Sequence, residues 1–253
     1  MRLLLLFSNN FILLSTLVSS TLSLKKSPSS VNEKITGGGN LTPESPENIE
    51  TLKEWLADRK PRVILIDKIY DFTESEGTKT GPGCRPWNKC SNGQEVQSAL
   101  AVLGWCDNQP QNKLTTVSYY AAARSPLNVG SNKSILGKGS NAMIRGKGLE
   151  IKGENIIIQV SRGNRNWLVK PSSGLGGDAV TLSGAKKVWI DHCTFSDIGR
   201  QMIVSSLSTE NTEIIISNNF FNGQCHWGTD CSGTHYWTIL LAGDGDQVTL
   251  ARK

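Results

Sequence analysis

Asp178 and Arg200 lie 22 residues apart, each just ahead of a short apolar run, Ala179–Leu182 and Met202–Val204. A carboxylate beside a guanidinium holds the guanidinium head in place. A fixed guanidinium can stabilise negative charge developing on a neighbouring carboxyl unit. Taken alone, such a pair is more often a structural ion pair on a sheet surface. Asp191-His192 is a second acid–base candidate. Neighbours in a strand point to opposite faces, so His192 reads as a hydrogen-bonded interior or turn residue. His226 and His235 fall in loops, with no third group to make a triad. The six cysteines, Cys84, Cys90, Cys106, Cys193, Cys225 and Cys231, contain no CxxC and are irregularly spaced. That argues for disulfides in an oxidising compartment over a metal site, with many pairings open. Cys193 alternates with apolar neighbours and also reads as a buried thiol.

The elements that must carry these residues are short. From Ser134 onward small apolar runs recur, among them Ile156–Ile158, Val188–Phe195, Ile214–Phe221, Thr238–Leu241 and Val248–Leu250. No helical stretch separates them, which excludes a doubly wound α/β sheet. Ala179 to Met202 is 23 residues and Trp189 to Ile215 is 26, and the two kinds of run alternate. A pair of strands recurring every 20-odd residues is the signature of stacked parallel turns. The fold class is therefore all-β, a right-handed parallel β-helix, the hand following from the preference of parallel crossovers. Asn218-Asn219 suits a corner of the coil. In such a stack Asp178 and Arg200 would sit on adjacent turns, about 4.8 Å apart on one face.

Ahead of the stack, Ile49–Leu56 has helical spacing behind Ser45-Pro46-Glu47 and would cap its open end. Val63–Ile66 reads as a buried strand, and residues 73–112 as a long loop stapled by cysteines. The apolar stretches Leu3–Phe7 and Phe11–Val18 follow Arg2 and precede Ser19, Ser20 and Thr21. This describes a signal peptide over residues 1–20. Ser8, Asn9 and Asn10 keep either stretch below the ~18 residues of a membrane span. Residues 21–46 are a polar, flexible lead-in, and residues 47–253 are one domain. Asn40 and Asn132 open N-glycosylation triplets. The net charge of +5 comes without a dense basic cluster, so nucleic acid is not expected.

The motifs Gly176-Gly177-Asp178-Ala179-Val180-Thr181-Leu182, Val188-Trp189-Ile190-Asp191-His192 and Ile198-Gly199-Arg200-Gln201 resemble, in order and spacing, those of the microbial pectin lyases. Ser131–Gly137, Cys231–Trp237 and Asp71–Thr78 add to the likeness, which runs from about Ile35 to the last residue. The resemblance implies β-elimination on methyl-esterified galacturonan: a base takes the C5 proton and the C4 oxygen leaves. Asp178 and Arg200 would belong to the catalytic face, and Trp87, Trp105 and Trp237 would line the cleft against sugar C–H surfaces. Packing is the reading for Trp55 and Trp189. The family also implies the disulfides Cys84–Cys106 and Cys90–Cys231. The related pectate lyases surround this site with acidic ligands for calcium; Arg200 puts a cation there, so no metal or cofactor is expected.

Two departures matter. Leu175 stands where the family carries an aromatic before Gly-Gly-Asp. The chain also ends at Lys253, ahead of the turn on which the family has its proton-abstracting Arg. The β-helix is therefore expected to be incomplete at its C-terminal end, and the 253-residue chain to lack lyase activity. The alternatives are a non-catalytic secreted pectin-binding protein and, disfavoured by Arg200, a calcium-dependent pectate lyase. The expected partner is methyl-esterified pectin, met by a secreted monomer with no membrane anchor.

Overall fold

The structure is a computed structural model that describes residues 34–85, 90–91, 95–101, 104–108, 114–160, 177–225, 227–228, 231–235 and 237–252. The expected signal peptide, the first half of the lead-in, Trp87 and Leu175 lie outside these residues.

The helix Ile49–Ala57 begins where the sequence placed it. Asn48 is its N-cap, with Oδ1 accepting from the Thr51 amide at 2.9 Å, and Glu50 sits in the first turn. Both features suit the orphan amides and positive end of a helix N-terminus. Leu52 and Leu56 are fully buried, and each such burial contributes about 1.5–3 kcal/mol. The helix lies over the strand Leu127–Val129, and the Gly130 amide donates to the Leu56 carbonyl. It closes one end of the stack.

Among the described residues the stack has two main sheets, both parallel. A six-stranded sheet runs Arg62–Ile66, Lys133–Gly137, Glu154–Val160, Lys186–Asp191, Thr212–Ser217 and Val248–Ala251. A five-stranded sheet runs Leu127–Val129, Leu149–Ile151, Val180–Leu182, Ile203–Ser205 and Ile239–Leu240. Two-stranded parallel pairs, Ile69–Asp71 with Met143–Arg145 and Thr194–Phe195 with Phe220–Phe221, form a third side. The chain is a parallel β-helix. Trp189 pairs with Ile215 in register, and the Val180 amide donates to the Met202 carbonyl, so both repeat distances mark true coil neighbours.

The strands read as continuous apolar runs because both faces of the six-stranded sheet are covered. Ile64, Ile135, Ile158, Ile190 and Ile216 face the interior; Ile157, Trp189 and Ile215 face outward and pack on Ile35. The lead-in is thus laid onto the stack from Lys34 onward. Asn155 Oδ1 accepts from the Thr36 and Gly37 amides, Ser134 Oγ from the Gly38 amide, and Glu44 bridges Ile64. The sequence reading of a flexible segment up to Pro46 missed this. Its polar composition hid one apolar anchor and a row of backbone donors.

The corners carry left-handed residues. Asn132, Asn155, Lys187 and Glu213 have φ of 58°, 59°, 54° and 57° and follow one another in register from coil to coil. Such a conformation costs a non-glycine residue roughly 1–2 kcal/mol, so the coil geometry imposes it. His192 and Asn218, both at φ 54°, make a second corner, where Asn219 accepts from Cys193 N at 2.8 Å and donates to Ile190 O at 2.9 Å. This corner cuts the run Val188–Phe195 into two strands, and it sits where Asn218-Asn219 predicted a bend.

One expectation fails in part. Residues 73–112 contain ordered strands: Thr78–Cys84 lies between Ala99–Leu100 and Leu114–Tyr120 in an antiparallel sheet. Gly81, Pro82 and Gly83 within Thr78–Cys84 erase the alternation by which a strand is read. The disulfides Cys84–Cys106 and Cys90–Cys231 are both formed. Cys193 and Cys225 are buried and take part in neither.

Candidate active site

The parallel register puts Asp178 and Arg200 on adjacent coils at the entry to the five-stranded sheet. Asp178 Oδ1 accepts from Arg200 Nε at 2.9 Å and Oδ2 accepts from Arg200 Nη2 at 2.8 Å. Oδ1 also takes the Gln201 amide at 2.9 Å. A bidentate pair fixes the plane of the guanidinium as well as its place. The Asp178 side chain is 11% exposed and that of Arg200 45%. The carboxylate is therefore the more sheltered partner, and the Arg200 side chain is partly exposed.

Glycine makes the close stacking possible. A Cβ on Gly148, one coil before Asp178, would stand 1.9 Å from the Asp178 carbonyl oxygen. One on Gly177 would stand 2.6 Å from the Ala123 carbonyl oxygen, which accepts the Gly177 amide. Beside Gly148, Lys147 is buried, with Nζ donating to Glu76 and to the Ser125 carbonyl, so this cation is spent on the fold.

On the following coil the Thr238 carbonyl accepts from the Met202 and Ile203 amides. Extending the Ile203–Ile239 pairing back two residues sets Trp237 level with Gln201, next to Arg200. Trp237 is 46% exposed. Trp105 opens a short 3₁₀ turn, Trp105–Asn108, beside Cys106. Trp55 packs partly against the core with the Arg62 guanidinium 4.7 Å from its ring centre, and Trp189 is buried with Nε1 donating to Ser217 Oγ at 2.9 Å. Both are packing residues, as the sequence implied.

Asp191 and His192 do touch, at 2.6 Å between Oδ2 and Nδ1. The left-handed corner at His192 turns its ring back on its neighbour, which the rule for a straight strand does not anticipate. The contact belongs to a buried knot: Asp191 also accepts from Ser217 Oγ, Asn218 Nδ2 and Gln159 Nε2. Burial raises the Asp191 carboxyl, but the bonds from Ser217, Asn218, His192 and Gln159 outweigh it and leave the group below its ordinary range. That arrangement is structural, with His192 a turn residue. Asn132 is likewise a corner residue whose Oδ1 accepts from Asn155, whereas Asn40 is exposed.

Two contacts at the site were not read from the sequence. Gln97 Nε2 donates to the Gly199 carbonyl at 2.9 Å, and His235 Nε2 meets the Arg200 carbonyl. Burial pushes the His235 imidazole down, while the backbones of Arg200 and Trp237 push it up; the net direction is down. A side chain that serves a backbone carbonyl leaves no motif, so the loop position of His235 gives no sign of this contact in the sequence. Among the described residues no three His, Cys, Asp or Glu side chains gather in a metal-binding group. No helix there is long and apolar enough to cross a membrane.

Residues 89–223 match the family model described as pectate lyase. The chain is 43% identical over 221 residues to the probable pectin lyase F-2 of Aspergillus terreus, covering 86% of this chain and 45% of that one. It is 41% identical over 221 residues to pectin lyase A of Aspergillus niger, covering 86% and 56%. With the probable pectin lyase E of Aspergillus fumigatus it shares 43% over 227 residues, covering 88% and 57%. The chain thus spans about half the length of the curated relatives it matches. A pectate lyase of Bacillus sp. N165, crystallised with trigalacturonate, superposes with a TM-score of 0.47 at 17% identity, covering 87% of this chain and 58% of that one. With its family model matched over just over half its length, the chain belongs to the pectate lyase family.

Proposed function

We propose that the Asp178–Arg200 face acts on methyl-esterified galacturonan, in the eliminative cleavage of the pectin lyases. The observation that carries this is the Arg200 guanidinium, clamped on one edge by Asp178 on a side chain that is 45% exposed. When a base removes the C5 proton of an esterified galacturonate, negative charge spreads onto the C6 ester carbonyl. A preorganised guanidinium stabilises that charge without having to reorient. Asp178 is the positioning partner of Arg200, and the methyl ester avoids a standing charge on the sugar. The relatives at 41–43% identity, named as pectin lyases, support the same reading. Trp237, exposed on the next coil, supplies an apolar platform for the sugar ring, and Trp87 and Trp105 are proposed as further cleft residues. A guanidinium in this position disfavours calcium, so the reading needs no metal.

The same reading calls for a secreted protein, since pectin lies outside the cell. The signal peptide over residues 1–20 and a glycan on exposed Asn40 belong to this reading. The test is binding of fully methyl-esterified trigalacturonate against the de-esterified trimer, by calorimetry, together with the absorbance of unsaturated product on esterified pectin. Preference for the ester, lost in Arg200→Ala, supports the proposal. Equal affinity for both trimers, or binding that survives Arg200→Ala, removes it. The 253-residue chain is expected to bind the ester without forming product, and product that is lost in Arg200→Ala would overturn that expectation; the second reading is a non-catalytic pectin-binding face.

A further inference from the structure

Three segments distant in sequence converge on the peptide that carries Arg200. Gln97, 2% exposed, donates to the carbonyl before it, that of Gly199. Asp178 takes the amide after it, that of Gln201. His235 meets its own carbonyl through Nε2. A carbonyl oxygen can only accept, so Nε2 of His235 must carry a proton. The ring also lies against the backbone of Trp237, two residues on.

His235 is itself firmly placed. Its amide donates to the Gly223 carbonyl at 2.6 Å, the Cys225 amide donates to the Gly233 carbonyl at 2.8 Å, and Gln224 bridges Thr234. These close a hairpin that rises from Phe220–Phe221 and returns before Ile239. Its outer part is tied to the segment around Gln97: Trp227–Gly228 pairs with Glu95–Val96, the Gln97 amide donates to the Gly228 carbonyl, and Cys231 is bonded to Cys90. Gln97 and His235 therefore belong to one cross-linked body that holds two successive carbonyls, those of Gly199 and Arg200.

We infer that His235 is a positioning residue, which locks the Arg200 carbonyl to the segment bearing Trp237 so that guanidinium and indole are presented to one sugar chain as a fixed pair. The side chain of Arg200 is held by Asp178, but a side chain is only as well placed as its own Cα. His235 supplies the main-chain half of that constraint. In its sugar-binding consequence this inference rests on the pectin reading above; the positioning itself does not.

The experiment uses the intact protein and two variants. His235→Gln keeps an N–H donor at about the reach of Nε2, whereas His235→Asn is shorter by one methylene. In the wild-type protein, ring 15N shifts should report the Nε2–H tautomer for His235. The Arg200 Nε–H signal should shift or broaden in His235→Asn and return in His235→Gln, with equal thermal midpoints for the two variants. Affinity for methyl-esterified trigalacturonate should fall about tenfold in the Asn variant and recover in the Gln variant. An Nδ1–H tautomer, an unmoved Arg200 signal in His235→Asn, or a Gln variant no better than Asn overturns the inference. If His235→Asn does not fold, the wild-type tautomer still decides. Failure of the wild-type protein to bind the trimer, with both spectroscopic results intact, sinks the pectin reading and leaves the positioning role standing.

Discussion

A methyl group at position 148 has no room beside Asp178: an added Cβ would lie 1.9 Å from the Asp178 carbonyl oxygen and 3.0 Å from that of Ala179. Gly148 is therefore part of the site although it offers no side chain to it. Its bareness sets the distance between the coil before the pair and the coil that carries Asp178.

Gly148→Ala is expected to push those coils apart and to destabilise the fold by about 1–3 kcal/mol, the usual range for an overpacked interior. The Leu149 amide bond to the Ala179 carbonyl, 2.8 Å long, is the first to suffer. Urea unfolding measures the change. A midpoint equal to that of the wild type would mean that the coil spacing relaxes at no cost.

Acid should weaken the helix cap through Asp58. Burial raises this carboxyl, but hydrogen bonds from Arg62 and Lys133 outweigh that and bring it from 3.8 to about 2. A group depressed in the folded state contributes stability that is fully present above its unfolded value and is lost as pH falls through its folded one. The loss therefore runs from about pH 4 to pH 2 and amounts to ~1–2 kcal/mol after allowance for solvent screening. Asp58→Asn should remove that part of the slope, so that the two stability curves converge at the acid end. Parallel curves down to about pH 2 would contradict the assignment.

Trp237 and Trp189 should separate cleanly. Trp237→Ala is expected to weaken binding of methyl-esterified oligomers about tenfold, by loss of a stacking face, with little change in melting temperature. Trp189→Phe should leave binding intact and lower the melting temperature, because Trp189 is 3% exposed and its Nε1 bond to Ser217 would be lost. Calorimetry and thermal melts read both, and a reversed pattern would refute the division.

Replacing Cys90 and Cys231 together by Ser should cost about 2–5 kcal/mol, since the bridge closes a long loop, here 141 residues apart in sequence. Hydrogen exchange should then rise first at Cys225 and His235, whose amides are bonded at the base of the hairpin. Faster exchange elsewhere with these amides unchanged would show that the hairpin holds without the bridge.

The stack itself was legible because the strands repeat: Trp189 and Ile215, singled out by spacing alone, are register partners. The Asp178–Arg200 contact was legible for the same reason, since a known repeat converts sequence distance into adjacency. What stayed hidden depends on backbone. The turn of the His192 ring onto Asp191 follows from a left-handed φ that no residue type announces. Strand Thr78–Cys84 lacks alternation and owes its place to Leu114–Tyr120. His235 and Gln97 serve carbonyls, and every residue has one.

The contact of Ile35 with Ile157, Trp189 and Ile215 has a consequence for the order in which the molecule can be built. Thr36 and Gly37 find their acceptor in Asn155, 119 and 118 residues downstream, and Ile35 gains its full cover only once Ile215 has been made. Chains are synthesised from the N-terminus, so this strap is among the first segments of the domain to emerge and among the last to dock. Until the fifth strand of the six-stranded sheet has closed over the fourth, it must wait with its apolar anchor in water.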